Sequence, residues 1–247
     1  MLPASGHPAT RPTDGATRPA DLATLGLLQL ADSGFPSGAY TLSHGLETLV
    51  AEGVVRGANG LAEYVQVCLR SRLARADLPA LLAGYDAVGA DDIETLLAID
   101  RRLAATKLAA EERAGSARVG RRLLGEVSRL VSSDMLGGYS AAVAAGRAPG
   151  NSAVTFGVAG AVFGADRHTV ALAAAQSHAS ALATAAMRLS IVSHAEAQQV
   201  VRSAAPVVAS AVDRAMGVDW RDLRPSAPQH EIALARHEAA AVRLFAS

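Results

Sequence analysis

The chain has 247 residues, half of them hydrophobic, with 23 basic and 23 acidic side chains and one cysteine. The balanced charge argues against nucleic acid as a main partner, because nucleic-acid-binding surfaces are strongly basic. A single cysteine excludes an internal disulfide and every Cys-x-x-Cys metal site. Residues 1–20 lack the apolar core of a signal peptide, and the longest apolar run, 152–165, is too short for a bilayer span. We therefore expect a cytoplasmic protein without a membrane partner.

Alanine, the best helix former, supplies much of the hydrophobic content. β-branched and aromatic residues never cluster in alternating runs, so no strand is predicted. We therefore expect an all-α fold, with one compact domain of about nine to ten helices over residues 21–247. Residues 1–20 are rich in Pro, Thr, Ala and Gly and contain no apolar block, which predicts a disordered tail.

Apolar residues at helical spacing recur along the whole domain. The predicted helices cover, in chain order, 22–31, 43–52, 60–78, 81–85, 93–103, 109–135, a segment after Asn151, 166–194 with a possible continuation to 203, 206–216 and 229–245.

Short polar residues and helix breakers set the predicted helix boundaries. The expected N-terminal caps are Asp21, Asn59, Asp92, Asn151 and Asp166.

Two breaks are expected inside these patterns, at Pro79 and at the Gly137-Gly138 pair. Three closely spaced glycines, Gly157, Gly160 and Gly164, predict close approach of another backbone.

Two helices have a predicted orientation. The charged 109–135 helix, which contains Glu111 and Glu112, is expected to face solvent. The last helix is expected to bury one apolar stripe. That stripe consists of Ile232, Ala235, Ala239 and Val242.

The turn between the first two helices is unusual. Gly34, Pro36 and Gly38 stand at alternate positions and predict a defined non-helical loop. Phe35 and Tyr40 are two of only eight Phe and Tyr residues in the chain. Two interpretations stay open: a corner whose aromatic rings fill the core, or a shaped surface that another molecule recognises.

Motifs of catalysis are missing from the sequence. It contains no phosphate-binding loop, no His-Glu-x-x-His zinc motif and no Gly-x-Ser-x-Gly nucleophile elbow. His230 and His237 are seven residues apart on one predicted helix, so about 10 Å separates them, too far for a shared ion. We expect surface or capping histidines, no catalytic residue and no metal site, which favours a binding protein over an enzyme.

The stretch from Leu27 to Glu47 resembles the signature of the urease accessory protein F (UreF) family. The signature is carried here by the Leu-Leu-Gln-Leu-Ala-Asp-Ser run that begins at Leu27 and by Pro36, Gly38, Tyr40, Ser43, Gly45, Leu46 and Glu47. Further segments resemble the family in the same order. They are Asp77-Leu78-Pro79, Arg113 with Ser116 and Gly120, Ala153-Val154 with Phe156-Gly157, Arg236-His237-Glu238 and Arg243-Leu244-Phe245.

This resemblance implies an all-α homodimer without catalytic activity or a cofactor of its own. Members of the family bind urease accessory protein D, also called H, and the GTPase accessory protein G. The complex docks on apo-urease and supports nickel insertion, with nickel as cargo. Leu42 stands where many members have histidine, so the loop here is interpreted as shape rather than metal chemistry.

The resemblance also suggests which residues form partner or dimer surfaces. The expected surface residues are Phe35, Tyr40, His44, Glu47, Arg113, Ser116, Arg236, His237, Glu238, Arg243 and Phe245. The alternative hypothesis is a metallochaperone that itself carries nickel through its histidines.

Overall fold

The computed structural model describes residues 18–240 and 243–246, and the predicted tail over residues 1–17 lies outside this part. The described residues form eleven α-helices and no strand, which confirms the all-α prediction with slightly more helices than expected. The helices are α1 Pro19–Ala31, α2 Leu46–Ala51, α3 Gly57–Val67, α4 Asp77–Gly89, α5 Ile93–Thr106, α6 Ala110–Leu130, α7 Asp134–Ala144, α8 Ser152–Val162, α9 Arg167–Arg188, α10 His194–Met216 and α11 Pro228–Glu238.

Two of the predicted helix starts are confirmed by a side-chain cap. Asp92 accepts a hydrogen bond from the Thr95 N–H at 2.9 Å, and Asp166 accepts one from the Thr169 N–H at 2.9 Å. Asp21 and Asn59 are not caps, because α1 begins at Pro19 and α3 at Gly57. The last residues of the predicted tail are therefore helical.

Two predicted breaks are wrong. Gly137 and Gly138 lie inside α7, and the break falls at 131–133, where Ser133 accepts from the Leu136 N–H. The chain between α3 and α4 leaves α-helical geometry over 68–76, before Pro79. Pro79 itself lies in the first turn of α4, where its missing N–H costs no helical hydrogen bond.

The long helix predicted from residue 166 ends at Arg188, and Ser193 starts α10 with a capping box to Glu196. α10 then continues through Pro206 to Met216. Pro206 is exposed, so the carbonyl that it leaves without a helical partner faces water. The last predicted helix is shorter than expected, because α11 ends at Glu238.

α8 lies at the centre of the fold and packs on α4, α6, α7 and α9. A Cβ on Gly157 would overlap the carbonyl of Leu81 in α4, and a Cβ on Gly160 would overlap Val170 in α9. The predicted close approach of another backbone is therefore confirmed at Gly157, whereas Gly160 makes room for the Val170 side chain. Gly164 instead follows the end of α8 with a φ of 74°, a conformation that favours glycine.

A buried hydrogen-bond network fixes the start of α8. The Asp100 carboxylate accepts from the backbone N–H groups of Gly150 and Asn151 at 2.7 and 2.8 Å and from the Tyr139 hydroxyl at 2.9 Å. Asn151 occupies the predicted cap position, but its side-chain amide donates to Asp100 instead of capping. The network joins α5, α7 and α8 without an unpaired carboxylate oxygen.

None of the described helices is both long enough and apolar enough to cross a lipid bilayer.

The two glycine environments give a matched stability test. Gly157→Ala should lower the free energy of unfolding by about 1–3 kcal/mol, because the new methyl group meets backbone that cannot move freely. Gly125→Ala, on the exposed side of α6 with open space around it, should raise it by up to about 1 kcal/mol. Urea denaturation measures both, and equal effects of the two substitutions would contradict the close packing of α8 on α4.

Candidate functional site

The signature loop, residues 32–45, connects α1 to α2 as a defined turn. The Asp32 carboxylate accepts from the Gly34 N–H at 2.6 Å, and Gly38 and Gly45 have positive φ of 75° and 78°. Phe35 is half-buried against the core, whereas Tyr40 is 66% exposed. Phe35 therefore fits the core-filling interpretation, and recognition of the exposed Tyr40 by another molecule stays a prediction.

The chain end is fastened to this loop by a cluster that we call the terminal clasp: Glu47, Glu111, His237, Arg243 and Phe245. The His237 ring is 1% exposed, with Nε2 2.9 Å from Glu47 Oε2 and Nδ1 2.8 Å from Glu111 Oε2. The His237 ring therefore lies between two carboxyl groups and joins α2, α6 and α11.

Glu47 also receives the last described residues of the chain. Its carboxylate accepts from the backbone N–H groups of Leu244 at 2.6 Å and Phe245 at 3.1 Å. Burial alone would raise the pKa of Glu47, but these bonds and His237 hold that pKa below its ordinary value. Glu111 in turn accepts from Arg243 at 3.1 Å.

Phe245 connects the clasp to the exposed part of the signature loop. Its ring is buried, and the Arg188 guanidinium lies 4.2 Å from the ring centroid. Arg188 donates to the Tyr40 carbonyl at 2.6 Å, and the Ala246 N–H donates to the Thr41 carbonyl at 2.8 Å. The buried end of the chain thus determines where Tyr40 stands on the surface.

A second group, the buried charge cluster, consists of Arg72, Asp77, Lys107, Glu112 and Glu231. Arg72 pairs with Glu112, with Glu231 at 3.1 Å and with Asp77 at 3.7 Å. Lys107 pairs with Asp77 at 2.8 Å and Glu112 at 3.2 Å. Burial alone would raise the pKa of Asp77, but Lys107 and Arg72 hold it far below its ordinary value.

A cavity of about 450 Å³ lies beneath the signature loop. Its polar end is lined by His44, Arg72, Asp77, Lys107 and His178. The rings of His44 and His178 are 4.5 Å apart between centroids. Burial lowers the pKa of His178 to about 4 and that of His44 well below its ordinary value, so both rings are neutral at neutral pH.

The other predicted site residues lie around these clusters. Arg113 donates to the carbonyls of Lys107 at 2.7 Å and Leu108 at 2.6 Å, which closes the connection between α5 and α6. Ser116 is buried and hydrogen-bonds to Asn151 at 3.2 Å. Glu238 accepts from the Glu111 N–H at 2.7 Å, and Arg236 forms an exposed pair with Glu52 at 2.9 Å. Their roles in an interface stay predictions.

The expected orientation of α11 is wrong, and so is the surface location of its histidines. His230 and His237 are each 1% exposed, whereas Ile232 is 50% exposed. The helix buries His230, Ala233, Leu234 and His237, because partners distant in sequence bond to His230 Nδ1 and to both ring nitrogens of His237. Glu111 and Glu112, expected on a solvated face, belong to the clasp and to the charge cluster respectively.

The clasp can be tested by local hydrogen exchange. Glu47→Ala removes the acceptor for the Leu244 and Phe245 N–H groups, and bonds to a charged acceptor contribute about 1.5–3 kcal/mol. Amide exchange at these two residues, measured by NMR, should accelerate at least tenfold. Glu63→Ala, an exposed change on α3, is the control. Unchanged exchange at both residues in Glu47→Ala would refute the clasp.

The cavity histidines predict acid sensitivity. The pKa of His178 is lowered from 6.5 to about 4 in the folded state, so below pH 6.5 the unfolded chain binds a proton that the folded chain does not. His178 should therefore make stability fall by about 1.4 kcal/mol per pH unit between these values. Urea unfolding from pH 6.5 to 4.5 should show a shallower fall for His178→Gln than for wild type or exposed His168→Gln. Identical slopes of unfolding free energy against pH for all three proteins would contradict the lowered pKa of His178.

Comparison with known proteins identifies the family. A family model described as UreF matches residues 55–205. Urease accessory protein UreF of Trichodesmium erythraeum (strain IMS101) is 30% identical over 90% of this chain and 96% of its own length. The UreF of Bacillus sp. (strain TB-90) is 30% identical over 90% and 98%, and UreF 1 of Brucella melitensis biotype 1 is 31% identical over 90% and 91%. The chain belongs to the UreF family of urease accessory proteins.

Proposed function

We propose that this protein is a non-enzymatic adaptor and regulator of urease maturation that works in the cytoplasm as a homodimer. It binds urease accessory protein D/H and the GTPase accessory protein G, and it supports nickel insertion into apo-urease. Membership of a family of accessory proteins excludes an enzyme role. The resemblance supplies the named partners, and the exposed apolar surface beside the signature loop supports docking.

That surface is the observation on which the proposal depends. Leu22, Leu25 and Leu28 stand three residues apart on α1 and are 58%, 61% and 62% exposed. Spacing of three places them along one side of the helix. Leu28 also lines a surface groove with Phe35, Pro36 and Leu130. Contiguous exposed apolar groups of this kind are typical of protein–protein interfaces.

The predicted interface residues divide into two roles around this surface. Tyr40 is 66% exposed and can contact a partner directly, and so can Leu244, which was not predicted and is 55% exposed. Glu47, His237 and Phe245 lie beneath them and hold the loop and the chain end together. The buried members therefore contribute to docking by positioning their exposed neighbours.

The geometry supports the adaptor over nickel carriage by His237. Both ring nitrogens of His237 are already hydrogen-bonded to carboxyl groups, so a metal ion would have to displace one of these partners. Nickel binding there would require the clasp to open. Equilibrium dialysis of His237→Ala tests this alternative, which predicts loss of nickel binding in that variant.

Capture of purified D/H protein tests the adaptor proposal. Leu25→Glu combined with Leu28→Glu places two charges on the apolar side of α1 and should weaken capture at least tenfold, which corresponds to about 1.4 kcal/mol. Val67→Glu, at a position 43% exposed on α3, is the matched control and should bind as wild type does. Wild-type capture by the double variant, with unchanged circular dichroism, would contradict this docking surface.

A further inference from the structure

Three side chains that can bind a metal ion converge at one end of the buried charge cluster. They are Glu112, His230 and Glu231, and one ligand atom from each residue lies within 4.8 Å of the others. Within the described part of the chain, Glu112 Oε2, His230 Nε2 and Glu231 Oε2 have no hydrogen-bond partner. Glu112 is 7% exposed and His230 is 1% exposed, so bulk water does not satisfy them. Buried acceptors without a donor are unusual in a folded protein.

The neighbouring cations hold the two carboxylates in this arrangement. Arg72 pairs with Oε1 of both Glu112 and Glu231, and Lys107 pairs with Oε1 of Glu112 at 3.2 Å. Each carboxylate therefore has one oxygen held by a cation and the other oxygen without a hydrogen-bond partner. Three carboxylates and two cations leave the cluster with one unbalanced negative charge.

Tyr64 determines which nitrogen of His230 carries hydrogen. The Tyr64 hydroxyl lies 2.5 Å from the His44 carbonyl and must donate to it, because a carbonyl only accepts. Its oxygen then accepts from His230 Nδ1, 2.8 Å away. The ring is left with a lone pair on Nε2, and burial lowers the pKa of His230 well below its ordinary value. Metal-binding histidines are commonly oriented in this way, by a hydrogen bond from the second ring nitrogen.

One imidazole nitrogen and two carboxylate oxygens suit a divalent transition metal better than Mg²⁺ or Ca²⁺, which prefer oxygen ligands alone. Bonds of about 2.0–2.2 Å place ligands of one ion up to about 4 Å apart, so a small inward movement completes the site. Glu112 also lines the cavity beneath the signature loop, so one member of the set borders open space.

We propose that Glu112, His230 and Glu231 form a binding site for one divalent first-row transition metal ion. The site does not depend on the adaptor role, since an adaptor could hold a purely structural ion. It also differs from nickel carriage by His237, which lies in the clasp.

Calorimetric titration of the chelator-treated full chain with NiCl₂, and separately with ZnCl₂, tests the site. At least one of the two ions should bind with one equivalent per chain. His230→Gln and Glu231→Gln should each weaken binding at least 100-fold. His237→Gln and the exposed His168→Gln are matched controls and should retain wild-type affinity. Absence of stoichiometric binding by both ions, which would mean that water or a proton satisfies the acceptors, overturns the proposal.

Wild-type protein provides a readout that does not depend on the variants folding. X-ray absorption of the metal-loaded chain should show one imidazole and the remaining ligands as oxygen. Two or more imidazole ligands in the spectrum would overturn the assignment. It would also be overturned if His237→Gln lost metal binding while a folded Glu231→Gln variant retained it. If His230→Gln does not fold, Glu231→Gln and the absorption spectrum decide.

Discussion

The ion pairs of buried Arg72 are the interaction on which the arrangement around the site depends. A buried guanidinium is costly unless carboxylates surround it, and Arg72 reaches Asp77, Glu112 and Glu231 from three different helices. These contacts hold α4, α6 and α11 around the segment between α3 and α4. The departure from α-helical geometry over 68–76 includes Arg72, whose side chain is 6% exposed, whereas Arg75 nearby is exposed.

The location of α11 has consequences for the surface. Once Glu231 is paired with Arg72, the same helix brings His237 between Glu47 and Glu111. Glu47 then receives the N–H groups of Leu244 and Phe245, and Arg188 joins the Phe245 ring to the Tyr40 carbonyl. A chain of charge–charge and charge–dipole contacts thus runs from the buried Arg72 to an exposed tyrosine. This fits an adaptor, which must present a fixed shape and needs no reactive group.

Features with local causes could be predicted from the sequence. The all-α class, the caps at Asp92 and Asp166 and the rigid turn around Gly38 follow from residues within a few positions of one another. The site clusters could not be predicted in this way, because their members come from segments far apart in sequence. α11 is the clearest case. Its apolar residues predicted a buried Ile232, but Tyr64 bonds to His230 Nδ1 and distant carboxylates bond to His237, so the side with both histidines is buried. The family resemblance suggested every residue of the terminal clasp except Glu111.

The central claim is that the partner docks on the surface that the charge contacts hold in place. Amide hydrogen exchange of this protein, free and in complex with purified D/H protein, tests it. The account predicts slower amide exchange on complex formation in α1, in the signature loop and at residues 243–246, with the exposed side of α10 unchanged. A stable complex that leaves all three segments at their free exchange rates and protects α10 instead would contradict it.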